Sequence, residues 1–363
     1  MNKNKLIIII VSIIAALAII TGIIVFAVSK SNNNNNENEL LNVDEQNNLE
    51  VNLDGEKVDI IDINSKTRPY AIAVNNTAVA VKVQEGLNKA YLVYEIPTEG
   101  NTSRVLALYK DIAEDLVVGT IRSARHNFVD YALESDAIFV CFGWSHYAED
   151  DMKKGSIDYI QGLYGGPFWR NNPENLASEH TAYTSTAKLD KTVKSKGFKT
   201  TSNNTILLNY NVSDVDLSSA TSVKKANTVT IPYGSSYYKS SFKYDAETKM
   251  YTRYQAGDKC VDYKTKETIT TKNIIVQKLN YKMCDDNYYW DLDTVGSGDG
   301  YYITNGYAVP IKWSKSSRSA KTKYTYKSGT VIDGQDMGGQ EISVSDGRTW
   351  IEVQTTKQKT IIE

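Results

Sequence analysis

The sequence predicts an α/β (or α+β) N-terminal domain and an all-β C-terminal domain behind a single N-terminal transmembrane helix. Three observations support this. An uncharged run lies near the start, strand-like and helix-like segments alternate up to about Gly197, and the helical period is lost from about Thr228. The chain has 363 residues, of which 41% are hydrophobic, so it is long enough to form two cores.

Residues 1–30 are predicted to be a cytoplasmic stub and a membrane anchor. The chain carries no charge from Leu6 to Val28, and 18 or more apolar residues are enough to span a bilayer. A signal peptide has a shorter apolar region and a small-residue cleavage site, so an uncleaved helix is favoured over a cleaved signal. Lys3 and Lys5 favour an N-terminus on the cytoplasmic side of the cell membrane, with the chain after the helix on the outer side.

Residues 31–50, rich in asparagine, glutamate and glutamine, are predicted to be a disordered linker because they cannot bury enough apolar surface. The folded part is predicted to divide into an α/β domain over 51–215 and an antiparallel β domain over 228–363. The formal net charge of -2 excludes a basic surface for nucleic acid, so none is predicted as a partner.

Short runs rich in valine, isoleucine and leucine predict buried strands in the first domain. They are YAIAVNN, AYLVYEIP, RVLALYK, LVVGTI and AIFVCFG. HNFVDYALES has apolar residues at helical spacing, and TSTAKLDKTVKSKG begins with serine and threonine and ends at Gly197, so both predict helices.

The sequence of the second domain predicts short strands separated by turn residues, a pattern that is typical of a small sandwich or open barrel. The strongest predicted hairpins are at ITNGYAV and VSDGRTW, because Asn-Gly and Asp-Gly accept the positive φ angles of a type I′ turn.

Three cysteines are present. Cys141 lies in the apolar run AIFVCFGW and is predicted to be a buried thiol. Cys260 and Cys284 could form a disulfide outside the cell, but spacing alone does not decide between a disulfide and two free thiols.

Several phrases together resemble the YerB-like lipoproteins of Gram-positive bacteria, which are defined by the N- and C-terminal parts of domain of unknown function 3048. Those phrases include RPYAIAVNN (68–76), GTIRSARHNFVDYALESDAIFV (119–140), SEHTAYTSTAKL (178–189), GSGDGYYITNGYAVPIKWSK (296–315) and DGRTWIEV (346–353). The resemblance covers nearly all of the chain after the linker. It implies an extracytoplasmic, membrane-attached envelope protein without a settled activity. The chain lacks the lipobox cysteine of the lipoproteins, so the uncleaved helix would have to hold it.

The segment VGTIRSARH (118–126) places Arg122, Ser123, Arg125 and His126 just before a predicted helix. Two arginines beside a helix N-terminus can form a pocket for a carboxylate or phosphate. With Arg104, they would line an anion-tolerant cleft.

The alternative is an internal ion-pair network in which these arginines pair with Glu95, Glu99 or Asp130 and hold the domain together. The loop 162–175 is predicted either to cover the cleft or to pack on its own aromatic residues. The candidate ligand-binding residues are therefore Glu95, Glu99, Arg104, Arg122, Ser123, Arg125, His126, Trp169 and His180.

The three histidines, His126, His146 and His180, lack the close spacing of metal ligands, so neither a metal nor another cofactor is predicted. The predicted function is a membrane-anchored binding or assembly factor whose partner is a cell-wall component, another envelope component or an envelope protein. The alternative is a cell-wall-acting hydrolase or transferase that uses His126, His180 and Glu99 as acid and base.

Overall fold

The computed structural model of the protein describes residues 42–44, 49–51, 58–155, 157–234 and 238–363. The predicted membrane anchor over residues 1–30 and most of the predicted linker lie outside the described residues. Within the described residues, no helix is both long enough and apolar enough to cross a membrane.

The fold is mostly β. Its α-helices in the described residues are α1 (His126–Leu133), α2 (His146–Lys153) and α3 (Thr186–Lys196). The predicted helices at α1 and α3 are confirmed, and α3 ends at Gly197 with φ of 66° as its C-cap. Helix α2 was not predicted; its N-cap is Ser145, whose hydroxyl accepts a hydrogen bond from the Ala148 N–H.

The centre of the protein is an 11-stranded mixed sheet to which both halves of the chain contribute. The first half provides β3 (Tyr70–Val74), β4 (Leu92–Thr98), β5 (Thr102–Tyr109), β7 (Ile138–Cys141) and β8 (Tyr159–Gln161). The second half provides β12 (Lys224–Lys225), β18 (Asn273–Leu279), β21 (Gly296–Thr304), β22 (Tyr307–Lys315), β23 (Lys323–Tyr326) and β27 (Thr349–Thr355). The strand order is β12-β22-β21-β18-β27-β4-β5-β3-β7-β8, with β23 paired to β22.

Strand β27 joins the two halves of this sheet. It pairs in parallel with β4 on one side and with β18 on the other, with Ile351 opposite Tyr94 and Ile275. The segments predicted as two domains therefore share one sheet, and Val43–Glu363 forms a single compact unit.

Two smaller sheets cover one face of the central sheet. The first has the order β6-β10-β9 and is built from β6 (Val117–Gly119), β9 (Phe168–Arg170) and β10 (Ala182–Ser185). The second is six-stranded and is built from β13 (Thr228–Pro232), β14 (Lys239–Asp245), β15 (Met250–Gln255), β16 (Asp258–Lys259), β17 (Thr270–Thr271) and β28 (Ile361–Ile362).

The remaining strands are short: β1 (Asn42–Asp44), β2 (Leu49–Val51), β11 (Asn209–Asn211), β19 (Tyr281–Met283), β20 (Trp290–Leu292), β24 (Val331–Ile332), β25 (Gln335–Asp336) and β26 (Ser343–Ser345). Strands β19 and β20 form a hairpin next to α1.

Both faces of the central sheet are buried, so its strands read as nearly continuous apolar runs. Because side chains alternate along a strand, Leu106 and Leu108 face a core that includes Phe128 of α1. Val105 and Ala107 face the other core, formed with the smaller sheets. This alternation decides which polar residues of β4 and β5 can meet.

Of the two strongest predicted hairpins, one is confirmed and one is wrong. Strands β21 and β22 pair across Asn305 and Gly306, with φ of 48° and 80°. At VSDGRTW, β26 instead pairs with β11, and β27 enters the central sheet. This turn therefore connects two different sheets. The Asp346 carboxylate within it accepts hydrogen bonds from the backbone N–H groups of Asp59 and Ile60.

The three cysteines are free thiols. Burial raises the pKa of the predicted buried thiol, Cys141, to about 12. The possible disulfide between Cys260 and Cys284 is not formed. Cys260 belongs to the core under the six-stranded sheet, whereas Cys284 lies in the β19–β20 hairpin on the opposite face of the central sheet.

Candidate functional site

The segment 118–126 is fixed by backbone hydrogen bonds where it leaves β6 and enters α1. The Arg122 N–H donates to the Ala73 carbonyl at 2.9 Å, and the Phe142 N–H donates to the Arg122 carbonyl at 3.1 Å. The Ala124 N–H donates to the Gly143 carbonyl, so the segment is held by β3 and by the residues that follow β7. Because the backbone of this segment is fixed, the directions in which its side chains point are fixed as well.

Arg104, Arg125 and Glu99 form a buried group, here called the arginine–glutamate cluster. Their side chains are 10%, 9% and 8% exposed. Arg125 donates through Nε to Glu99 Oε2 at 2.8 Å and through Nη2 to Glu99 Oε1. Arg104 Nη2 lies 3.6 Å from Glu99 Oε1, and its Nη1 donates to the Ser123 carbonyl at 2.5 Å. For these two arginines, the structure matches the predicted ion-pair network.

The pKa values of Arg104 and Glu99 are shifted because both groups are buried next to other charges. Burial and the nearby Arg125 charge lower the pKa of Arg104 to about 9. Burial alone would raise the pKa of Glu99, but hydrogen bonding to Arg125 and the charges of Arg125 and Arg104 lower it overall. One carboxylate is thus shared by two guanidinium groups.

We expect Glu99→Gln to lower the free energy of unfolding at pH 7 by about 1.5–3 kcal/mol, the usual contribution of a hydrogen bond to a charged group. Because the Glu99 pKa is lowered on folding, its contribution is present above the unfolded value of about 4.3 and is lost as pH falls through the folded value. Denaturant titrations at pH 7 and at pH 3 check this. A wild-type to variant difference of equal size at both pH values would contradict it.

Arg122 points away from the cluster into a surface cleft of about 440 Å³, here called the Arg122 cleft. It is lined by Ile121, Arg122, Ser123, Phe142, Gly143, Leu163, Arg170, Ala177, Ser178 and Glu179. Arg122 Nη2 lies 3.2 Å from Glu179 Oε2. The Arg170 guanidinium lies over the Phe142 ring at 4.4 Å and donates to the Thr181 hydroxyl at 3.3 Å. The cleft is lined by two guanidinium groups and one carboxylate, so its lining carries an excess positive charge.

The loop 162–175 forms a wall of this cleft through Leu163 and Arg170. Gly143, with φ of 87°, lies against Ser123, where a Cβ would approach within 2.9 Å of the Ser123 hydroxyl oxygen. Trp169, a predicted ligand-binding residue, does not line the cleft; its ring stacks on Tyr183 at 6.3 Å. Because side chains alternate along β9, Trp169 and Arg170 point in opposite directions.

His180 borders the cleft beside Glu179. Its Nδ1 lies 2.8 Å from the Asn75 amide nitrogen and its Nε2 lies 3.4 Å from Glu179 Oε1. Burial lowers the His180 pKa, although the Glu179 charge opposes that shift.

His126 lies elsewhere, with Nε2 3.5 Å from Asp291 Oδ1, and burial lowers its pKa as well. Glu99 is held by the two arginines. In the part of the chain that the structure describes, no hydrogen bond or ion pair joins any two of His126, His180 and Glu99.

Glu95, one of the three alternative partners predicted for the arginines, does not join the arginine–glutamate cluster. Alternation along β4 directs it to the opposite face of the sheet, where its carboxylate lies 3.0 Å from Arg253 and is fully buried. It also accepts hydrogen bonds from Asn76, Ser103 and Ser240. Asp130 is likewise paired elsewhere, with Arg318.

Sequence reasoning missed Arg170, Phe142 and Glu179 as cleft residues. Phe142 directly follows the apolar run AIFVC, Glu179 is the glutamate of SEH, and Arg170 follows Trp169 in the loop 162–175. Among the described residues, no group of three or more histidine, cysteine, aspartate or glutamate side chains is placed to hold a metal ion.

The fold and the site define a mostly β protein with an arginine-lined cleft beside its central sheet. The chain belongs to the family of unknown function DUF3048: residues 58–199 match its N-terminal domain and residues 229–351 its C-terminal domain. "Putative lipoprotein YerB" of Bacillus subtilis (strain 168) is 29% identical over 293 residues, which span 80% of this chain and 82% of that protein. The crystal structure of YerB protein from Bacillus subtilis matches with a TM-score of 0.67 and 26% identity, covering 89% of this chain and 100% of the other.

Proposed function

We propose that this protein is a binding or assembly factor of the cell envelope. It is held at the membrane by its N-terminal segment, with the folded part outside, and it binds an anionic group of an envelope polymer in the Arg122 cleft. The observation that carries the proposal is that two guanidinium groups, Arg122 and Arg170, line that cleft together with a single half-exposed carboxylate, Glu179, which pairs with Arg122. The uncharged run from Leu6 to Val28 and the name of the Bacillus subtilis relative, a lipoprotein, support attachment to a membrane.

The cleft suits a carboxylate or a phosphate. A guanidinium can donate two parallel hydrogen bonds to either group, and Glu179, with a 52% exposed side chain, already occupies one such position on Arg122. An incoming anion would replace or join Glu179. Because backbone hydrogen bonds fix the Arg122 segment, little order has to be gained on binding.

The test uses the full chain purified in detergent and two probes: poly(glycerol phosphate) and solubilised cell-wall fragments that carry free carboxylates. We expect Arg122→Ala and Arg170→Ala each to weaken binding of the accepted probe by about ten-fold or more, which corresponds to about 1.4 kcal/mol. Isothermal titration at two salt concentrations measures this, and binding should weaken as salt increases.

Lys312→Ala is the matched control, because Lys312 is a surface cation on the second half of the chain with a 49% exposed side chain. Thermal melting should show that all three variants remain folded. Failure of the wild type to bind either probe, or equal weakening by Lys312→Ala and Arg122→Ala, would overturn the proposal.

A further inference from the structure

Strand β8 forms one edge of the 11-stranded sheet and carries a groove along its open side. Within the described residues, β8 pairs only with β7. The groove has a volume of about 370 Å³ and is here called the edge groove. It is lined by Trp144, Lys153, Tyr159, Ile160, Gln161, Tyr164, Gly165, Gly166, Pro167, Thr192 and Lys196.

The backbone of β8 presents unpaired groups to this groove. The Phe139 N–H donates to the Asp158 carbonyl, and the Gly162 N–H donates to the Cys141 carbonyl. In a parallel ladder, alternate residues of a strand bond to the same neighbour, so Ile160 also faces β7. The N–H and C=O groups of Tyr159 and Gln161 therefore point to the open side.

Aromatic residues in the walls of the groove provide surfaces against which the side chains of an occupant can pack. Tyr164 is 83% exposed, and its ring lies edge-on to Trp144 at 6.5 Å. Trp144 also contacts the Tyr159 ring at 6.0 Å. Trp144, Tyr159 and Tyr164 thus form an aromatic surface beside an open strand edge, and open strand edges are normally covered or blunted.

The charges along the groove have one sign. Lys153 and Lys196 line it, and no aspartate or glutamate does. Lys153 has a partner outside the lining, Glu149, at 2.7 Å, whereas the Lys196 ammonium lies over the Phe198 ring at 5.6 Å. An occupant that carries carboxylates would complement this rim.

We propose that the edge groove binds an extended acidic segment of a partner protein, which adds a strand to the central sheet beside β8. Main-chain hydrogen bonds to Tyr159 and Gln161 provide the pairing. Alternate side chains of the segment pack against Trp144 and Tyr164, and its carboxylates lie near Lys153 and Lys196. This inference is independent of the Arg122 cleft.

The test is a selection from a displayed library of random ten-residue peptides against the full chain in detergent. We expect enrichment of acidic sequences rich in β-branched residues. The strongest synthetic peptide should protect the amide hydrogens of Tyr159 and Gln161 from exchange. N-methylation of its strand-facing amides should weaken binding at least ten-fold, because a methylated amide cannot donate to the edge.

Two protein variants complete the test. Gln161→Pro removes an N–H that does not bond to β7, a substitution that edge strands tolerate, and should weaken binding by ten-fold or more. Tyr164→Ala should weaken binding several-fold, whereas Tyr288→Ala, at an exposed tyrosine in the β19–β20 hairpin region, should not. Lack of enrichment, or peptides that bind equally after N-methylation, would overturn the proposal. Arg122→Ala should leave peptide binding unchanged.

Discussion

Arg253→Ala is expected to lower the free energy of unfolding by about 3–5 kcal/mol, because it leaves the Glu95 charge buried without its cation. The Arg253 and Glu95 side chains are both 0% exposed, and Arg253 Nη2 lies 3.0 Å from Glu95 Oε2. The same nitrogen also lies 2.9 Å from Asn76 Oδ1 and 3.1 Å from Gln255 Oε1, so its two N–H groups serve a cluster of polar acceptors that loses its cation in the variant.

Burial and the charge of Glu95 raise the pKa of the neighbouring Glu352 carboxyl well above its usual range. Equilibrium denaturation in guanidinium chloride measures the loss. Asp299→Ala is the control, because its ion pair with Lys312 is half-exposed and should contribute less than about 1 kcal/mol.

A double variant separates charge from packing. Glu95→Gln combined with Arg253→Met removes both charges, and we expect it to recover part of the stability that Arg253→Ala loses. A loss in Arg253→Ala no larger than that in Asp299→Ala would show that the buried pair does not stabilise the fold.

Lys315 lies on the opposite face of the central sheet from Arg253. Lys315→Ala is expected to lower the free energy of unfolding by about 3–5 kcal/mol, because it leaves the Glu134 charge buried without its cation. The Lys315 ammonium lies 3.0 Å from Glu134 Oε2, with side-chain exposures of 0% and 1%. It also donates to the Asp130 carbonyl at 3.0 Å. Glu134 accepts further hydrogen bonds from the Tyr94 and Thr322 hydroxyls.

Thermal and denaturant unfolding of Lys315→Ala, alone and with Arg253→Ala, measure this effect. The two pairs share no partner, so their losses should add to within about 0.5 kcal/mol. Lys282→Ala is the control on this face, because the Lys282 side chain is 73% exposed in its pair with Asp291. An unchanged midpoint for Lys315→Ala would contradict the prediction.

Local sequence signals were enough for several elements. The Asn305-Gly306 turn defined the β21–β22 hairpin, because few other residue pairs accept positive φ at both positions. The spacing of Phe128, Tyr131 and Ala132 identified α1, whose buried residues include all three. Helix α2 was missed because only Ala148 and Met152 of its residues are buried, which leaves a weak apolar pattern.

The candidate site was only partly predictable, because its partners are set by long-range pairing. Glu95 and Glu99 are four residues apart, and both were plausible partners for the arginines. Glu95 lies within β4 and points to Arg253, which is 158 residues away in sequence, whereas Glu99 lies in the turn after β4, where the strand pleat no longer sets its direction. Arg122 and Arg125 also diverge, one to a surface cleft and one to a buried carboxylate.

The position of β27 has a consequence for the order of assembly during synthesis. This strand ends at Thr355, close to the end of the chain, yet it lies between β4 and β18 at the middle of the central sheet. Until residues 349–355 have been synthesised, β4 and β18 lack the strand that lies between them in the folded protein. A chain cut short before Thr349 would retain most of its residues but would present two open sheet edges, which favour aggregation.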